Sequence, residues 1–223
     1  MSQTQLFICL GIGWFGYFAI HSLLATVAVK TWFSHHLSRW SHGYRLFYNL
    51  LATLLLLPLL WLTLVLQGEA LWQFNALQQG VAYLLSGLAI LGFILSLREY
   101  DGAEFSGIKQ WQAAKMRASS PPQPRFCLGF FHRFVRHPWY FFGLILIWSH
   151  EMDVAMLLGA VMMSGYFVVG SSWEERRLIA EYGAVYQHYR QRVPGLLPRP
   201  WRYLSRLEAQ QLLGEGQVSQ KCD

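Results

Sequence analysis

Residues 136–175 read RHPWYFFGLILIWSHEMDVAMLLGAVMMSGYFVVGSSWEE, so that Arg136-His137-Pro138 opens one apolar stretch and Glu174-Glu175 closes the next. Residues 139–173 are too greasy for a soluble surface. The polar interruption at His150, Glu151 and Asp153 divides them into a short arm, 139–149, and a longer arm, 154–173. A helical hairpin follows, with both ionisable clusters at the same end. Charged groups beside hydrocarbon are costly unless paired or given work to do, which makes that end a candidate site.

The rest of the chain agrees with a membrane setting. Of 223 residues, 54% are hydrophobic, 16% aromatic and only 13% charged, a balance that a water-soluble domain does not carry. Residues 5–29, 46–66 and 81–97 are apolar runs of the length that about 30 Å of hydrocarbon demands at roughly 1.5 Å per residue. With the hairpin they predict an all-α integral membrane protein of about five transmembrane helices. The last two form the hairpin, and a helical tail follows. Residues 1–97 make a three-helix membrane region, 98–135 a loop, and 136–223 the hairpin and tail.

Lys and Arg set the orientation, because short loops on the cytoplasmic side are enriched in them. The first loop holds Lys30, Arg39 and Arg45, whereas 67–80 has Glu69 and no Lys or Arg. The segment after the third run holds Arg98, Lys109, Lys115, Arg117, Arg125, Arg133 and Arg136, the hairpin tip has none, and the tail is Arg-rich. The N-terminus is therefore expected outside and the C-terminus in the cytoplasm, in the plasma (inner) membrane if the source is bacterial. The formal charge of +6 then belongs to the cytoplasmic face, where membrane lipids account for it. No nucleic-acid motif is present.

Other chemistries find little support. Cys9, Cys127 and Cys222 are odd in number and lack CxxC spacing, so neither a zinc site nor a disulfide framework is indicated. The His residues form no HExxH; His35, His36 and His42 are scattered in a loop, and no metal is expected. Gly11-Ile12-Gly13 lies inside an apolar run with no strand before it, so it reads as helix packing rather than a nucleotide fingerprint. Ser86, Gly87 and Gly92 read the same way. Pro58 is expected to kink its helix. His21 reads as an interhelical hydrogen-bond partner. Met1 to Gln5 lack the positive start of a signal peptide, so the first run is expected to be retained.

The two polar segments differ in kind. In 98–135, Ser119-Ser120-Pro121-Pro122-Gln123-Pro124 marks an extended loop. The second, 174–208, is expected to be a helix beginning near Glu174 and ending before Pro194, Pro198 and Pro200. Tyr182, Tyr186 and Tyr189 recur on one face, either for packing or for a ligand.

At the hairpin's charged end, Pro138 fits the first turn of a helix, which puts Arg136 and His137 at its positive N-terminus. With Glu174 and Glu175 they make a set able to hold a zwitterion. The alternative is an Arg reaching for headgroups beside idle acids. Composition leaves both open.

Val135-Arg136-His137-Pro138-Trp139-Tyr140-Phe141-Phe142-Gly143, then Glu174-Glu175-Arg176-Arg177-Leu178, Tyr182-Gly183, Tyr186, Tyr189, Arg192-Val193-Pro194 and Pro198 resemble the C-terminal signature of the isoprenylcysteine carboxyl methyltransferase superfamily, which includes the phospholipid methyltransferases. His21-Ser22-Leu23-Leu24-Ala25 and the 101–110 stretch are similar to its methanethiol S-methyltransferase and NnrU-like branch. The resemblance implies S-adenosylmethionine as methyl donor. It implies donor contacts from His137, Pro138, Trp139 and Tyr140, with backbone contacts from Phe126 to Phe131. It places Glu174 near the methyl acceptor, Glu175 closing the site and Arg136 bracing it. Gly170 stands where the eukaryotic prenylcysteine enzymes carry Arg, which speaks against a prenylated-protein substrate.

The chemistry suits these residues. Methyl transfer from a sulfonium needs in-line placement and exclusion of water, and little acid–base help when the acceptor is a thiolate or carboxylate. The acceptor is expected to be a small or lipophilic thiol, carboxylate or lipid amine. Two further readings come from other classes: a noncatalytic NnrU-like accessory protein, and an NADPH-dependent sterol-reductase-like enzyme, for which 223 residues leave few spans.

Overall fold

A computed structural model describes residues 2–37, 43–66, 68–99, 102, 106, 108, 112 and 126–214. It is 77% helical with almost no sheet. Among the described residues four helices are long and apolar enough to cross a membrane: α1 (Gln3–Ala25), α3 (Tyr44–Val65), α4 (Ala76–Leu97) and α6 (Val154–Tyr182). The described residues also form α2 (Val27–His36), the short apolar α5 (Pro138–Trp148), α7 (Ala184–Arg192) and α8 (Arg206–Leu213). Large apolar side chains such as Phe15, Leu54, Trp61, Leu84 and Val168 face outward. That inverts the rule for soluble domains and suits a lipid solvent. The chain is an integral membrane protein. Arg39, His42, Lys109, Lys115, Arg117, Arg125, Cys222 and the prolines at 121, 122 and 124 lie outside the described residues.

The chain divides into two compact units, each with its own core. The first unit takes in α1 to α3 and the opening turns of α6. Ser2 and Gln5 form a capping box that starts α1. The core is Leu10, Trp14 and Ala155, with Leu59, Leu158 and Met162 packed around them. Trp14 donates its indole N–H to Thr63 Oγ1 at 3.2 Å, so the one polar atom of this buried ring is satisfied. Gly13 makes the close approach expected of it, since a Cβ there would lie 2.8 Å from Leu59 Cδ2. His21 meets the Tyr48 hydroxyl at 2.7 Å, the interhelical bond read from its position.

Two expectations for this unit need correction. The apolar run 5–29 is not one helix. Thr26 adopts extended geometry, φ −65° and ψ 150°, and its side chain accepts from the Val29 N–H, ending α1 and capping α2. A threonine hydroxyl competing for backbone hydrogen bonds explains the break. The loop 67–80 is not plain either: β1 (Ala70–Trp72) pairs antiparallel with β2 (Met152–Asp153). Strands this short carry no periodicity to read. Helix α3 continues through Pro58.

The second unit holds α4, α5, the later part of α6, α7 and α8. Helix α4 presents Ala89, Gly92 and Ser96 as a buried small-residue face. A Cβ on Gly92 would stand 2.6 Å from the Phe142 ring, so α4 and α5 pack at a distance only glycine permits. Gly87 makes no such contact. Trp139 donates to Ser96 Oγ at 2.8 Å across the same seam.

The expected helix start near Glu174 is also corrected. Helix α6 runs unbroken past both glutamates to Tyr182, because Glu and Arg are good helix formers and polarity alone does not end a helix. It stops at Gly183, whose φ of +58° favours glycine, and α7 begins there. Tyr186 and Tyr189 are buried with Val193, Leu204 and Ala209, so the tyrosine stripe is packing. Cys9 is free and exposed.

Candidate functional site

Everything in this site belongs to the second unit. His137 caps α5 and Pro138 occupies its first turn, where a missing N–H leaves nothing unpaired. The preceding residues are fixed by a short backbone pairing. The Arg136 N–H donates to the Pro194 carbonyl at 2.9 Å and the His137 N–H to that of Gly195 at 3.1 Å. Gly195 packs closely here, since a Cβ there would lie 3.2 Å from Arg136 Nη2.

The side chains then converge. Arg136 places Nε at 2.9 Å and Nη2 at 2.6 Å from Glu175 Oε1. Its Nη1 donates to the Arg190 carbonyl at 3.0 Å and to the Val193 carbonyl. Arg190 Nε closes on Glu175 Oε2 at 2.9 Å. Glu175 is thus buried, yet both its oxygens are taken by guanidinium groups. A guanidinium fork suits this work because its donors are fixed in one plane.

His137 bridges the two acids, with Nε2 3.2 Å from Glu175 Oε1 and Nδ1 3.4 Å from Glu174 Oε2. Burial pulls its pKa down, but the hydrogen bonds and charges of the two carboxylates outweigh that and hold the imidazole above its usual value. Glu174 differs from its neighbour: its side chain is 40% exposed against 8% for Glu175. Beside them, His137 stacks on Tyr140 with rings 5.4 Å apart, and Tyr140 on Phe167 at 4.7 Å. The Tyr140 hydroxyl approaches the space beside Gly170, 3.8 Å from where a Cβ would sit.

The structure therefore brings Arg136, His137, Pro138, Tyr140, Glu174 and Glu175 into one cluster. The other residues named from the sequence stand apart in side chain. Trp139 turns its indole to Ser96, Phe126 packs among Tyr182, Tyr186 and Tyr189, and Phe131 meets the edge of Phe142.

Two residues not singled out from the sequence lie nearby. Glu99, just past the end of α4, accepts from the Phe130 N–H at 2.6 Å, and its other oxygen stands 3.7 Å from His132 Nδ1. His132 is close enough to Glu174 for their charges to interact. No spacing rule connects Glu99 to His132, because the fold alone brings them together.

Comparison with known proteins finds relatives named methanethiol S-methyltransferases. It is 35% identical over 187 residues to methanethiol S-methyltransferase 2 of Bradyrhizobium diazoefficiens, covering 82% of this chain and 70% of the relative. It is 32% identical over 186 residues to methanethiol S-methyltransferase 1 of the same organism, covering 82% and 62%. It is 28% identical over 194 residues to the methanethiol S-methyltransferase of Crocosphaera subtropica, covering 86% and 74%. The chain thus spans between 62% and 74% of these relatives' lengths. No family model and no solved structure matches it.

Proposed function

Because the chain belongs to the methanethiol S-methyltransferase family, we propose that it transfers a methyl group from S-adenosylmethionine to a small lipophilic thiol within the membrane. The observation that carries this reading is the Arg136–Glu175–His137–Glu174 cluster, which joins the two motifs that resemble the superfamily's C-terminal signature. The residues present fit such a donor. Glu174 keeps part of its carboxylate open to a cation, the Tyr140 ring offers an aromatic face, and the N-terminus of α5 favours a carboxylate. S-Adenosylmethionine, when bound, supplies an electrophilic methyl group on a sulfonium.

The protein's own part is placement. His137, Pro138, Tyr140 and the backbone of Trp139 hold the donor, and the 126–131 segment, including Phe126 and Phe131, adds backbone contacts. Arg136 and Glu175 brace the loop after α7 against α5, so the site keeps its shape without a bound ligand. Glu174 stands toward the acceptor. Apolar surroundings exclude water, which keeps a thiolate nucleophilic and unsolvated. We place the site on the cytoplasmic face, where the donor is made, with the N-terminus outside. Membrane lipids and the thiol are its partners; nucleic acid is not.

The test is calorimetric titration of S-adenosylmethionine, with NADPH as control, into detergent-purified wild type and His137→Ala, together with headspace assay of methanethiol methylation. Saturable donor binding and turnover in wild type, lost in the variant, support the reading. Folded protein that binds neither donor nor thiol overturns it, and binding of NADPH alone turns it toward a reductase.

A further inference from the structure

Residues 197–207 read LPRPWRYLSRL, which sets apolar and basic side chains side by side and includes no Asp or Glu. Here Trp201 is 77% exposed, Leu207 71% and Leu197 62%, and Tyr203 is about half exposed. None of them belongs to a helix long enough to span, so the lipid contact that explains the outward faces of α1, α3, α4 and α6 does not extend to them. We propose that this segment is an interfacial anchor that binds anionic phospholipid headgroups at the membrane end of α5. It would do so whether or not the protein transfers methyl groups.

The exposure belongs to a held surface. The Arg202 N–H donates to the Arg199 carbonyl at 2.9 Å, closing a turn with Pro200 and Trp201 at its tip. Pro200 sets the backbone of the second turn position in advance. Arg202 Nη2 donates to the Gln191 carbonyl at the end of α7. Two further bonds tie the segment to Arg133: the Leu204 N–H donates to the Arg133 carbonyl at 2.9 Å, and Arg133 Nε donates to the Leu204 carbonyl at 2.9 Å. Tyr203 stacks on Phe134 with rings 6.0 Å apart, and Phe134 meets the half-exposed Phe130 at 5.4 Å. Little ordering is left for a ligand to impose, which favours binding.

Its place in the fold selects the partner. On one side, the Pro194 and Gly195 carbonyls accept from Arg136 and His137; on the other, Leu204 is bonded to Arg133. Both ends are thus fastened to the chain just before it enters the apolar α5 at Pro138. The tip therefore stands beside the bilayer, where Trp and Tyr rings settle between headgroups and acyl chains. Charge then chooses among lipids. Arg190 and Arg192 are engaged by Glu175 and Glu208, and Arg202 and Arg133 by backbone carbonyls. Arg199 and Arg206 are exposed, and among the described residues neither guanidinium has a carboxylate or carbonyl partner. Two unspent arginines around an exposed Trp are complementary to a phosphate with no compensating amine.

The test places the full chain in nanodiscs of phosphatidylcholine, or of an equal mixture with phosphatidylglycerol. The signal of Trp201 is the fluorescence of wild type minus that of Trp201→Phe. Quenching is read with either lipid brominated high on its acyl chain, and with acrylamide from the water. Trp201 should be quenched by brominated lipid and sheltered from acrylamide. An arginine near an anionic surface is worth roughly a fivefold preference, so phosphatidylglycerol should be favoured at Trp201 by up to roughly 25-fold at low salt. The preference should vanish in Arg199→Gln/Arg206→Gln and at about 1 M salt. If the double variant does not fold, the salt titration of wild type decides.

Equal quenching by the two lipids at low salt overturns the choice of an anionic headgroup. A Trp201 open to acrylamide overturns the anchor. One shielded from both acrylamide and brominated lipid overturns it too, and gives the face to a protein partner or a second copy of the chain.

Discussion

Adjacent glutamates with opposite jobs give the sharpest test of the site. In Glu175→Gln, a buried carboxylate that takes Arg136 at 2.6 and 2.9 Å, Arg190 at 2.9 Å and His137 at 3.2 Å loses its charge. The Arg136 side chain, only 11% exposed, is then left without its counter-charge. Breaking a buried pair from one side costs about 3–5 kcal/mol, because the remaining charge stays desolvated. At about 2–4 °C per kcal/mol for a chain of this size, that is a fall in melting temperature of roughly 6–20 °C. In Glu174→Gln, a side chain 40% exposed loses one partner at 3.4 Å. Partly solvated pairs are worth about 1 kcal/mol or less, so the melt should move by no more than about 4 °C. Turnover should nevertheless be lost in Glu174→Gln, which the proposed function turns toward the acceptor, whereas Glu175→Gln should lose stability and donor affinity together. Thermal melts in detergent, paired with methanethiol turnover, read both effects. Equal melts for the two variants would refute the division into brace and reacting-face carboxylate.

His137 predicts a pH dependence of stability with a definite sign. Its folded pKa is raised, so its stabilisation is fully present below the unfolded value of about 6.5 and is lost as pH rises through the folded value. The gap in melting temperature between wild type and His137→Gln should be wide near about pH 5.5 and narrow by about pH 9; a gap that widens with pH contradicts the ion-pair assignment. The α4–α5 seam predicts a contrast between two glycines of one helix. Gly92→Ala should destabilise by about 1–3 kcal/mol through overpacking against Phe142, while Gly87→Ala, with nothing near its Cβ position, should leave the melt unchanged or slightly raised. Equal effects would mean the seam is loose.

The membrane helices were legible because a run of apolar residues long enough to span hydrocarbon has few other solutions. What interrupted them was not. Thr26 ends α1 with a side-chain hydrogen bond that composition does not register, and the β1–β2 ladder uses too few residues to show alternation. Glu174 looked like the start of a tail helix because charge begins there, yet a helix backbone continues from lipid into water at no cost. Within the site, Arg136, His137, Glu174 and Glu175 were readable as charges gathered at one end of a hairpin. Glu99 and His132 were not, since no spacing rule joins the residue just past α4 to the turn Phe131–Arg133.

Helix α5 has 11 residues, which at about 1.5 Å per residue rise only about 16 Å, roughly half the hydrocarbon thickness of a bilayer. Both its ends are polar, with His137 at one and Ser149-His150-Glu151 at the other. Polar groups at both ends of so short a helix demand either a local thinning of the bilayer or water reaching inward to meet them. Under the proposed function, a bilayer thinned at this helix would shorten the path between an aqueous donor and an acceptor dissolved in the acyl chains, which would make bilayer thickness a variable of the reaction itself.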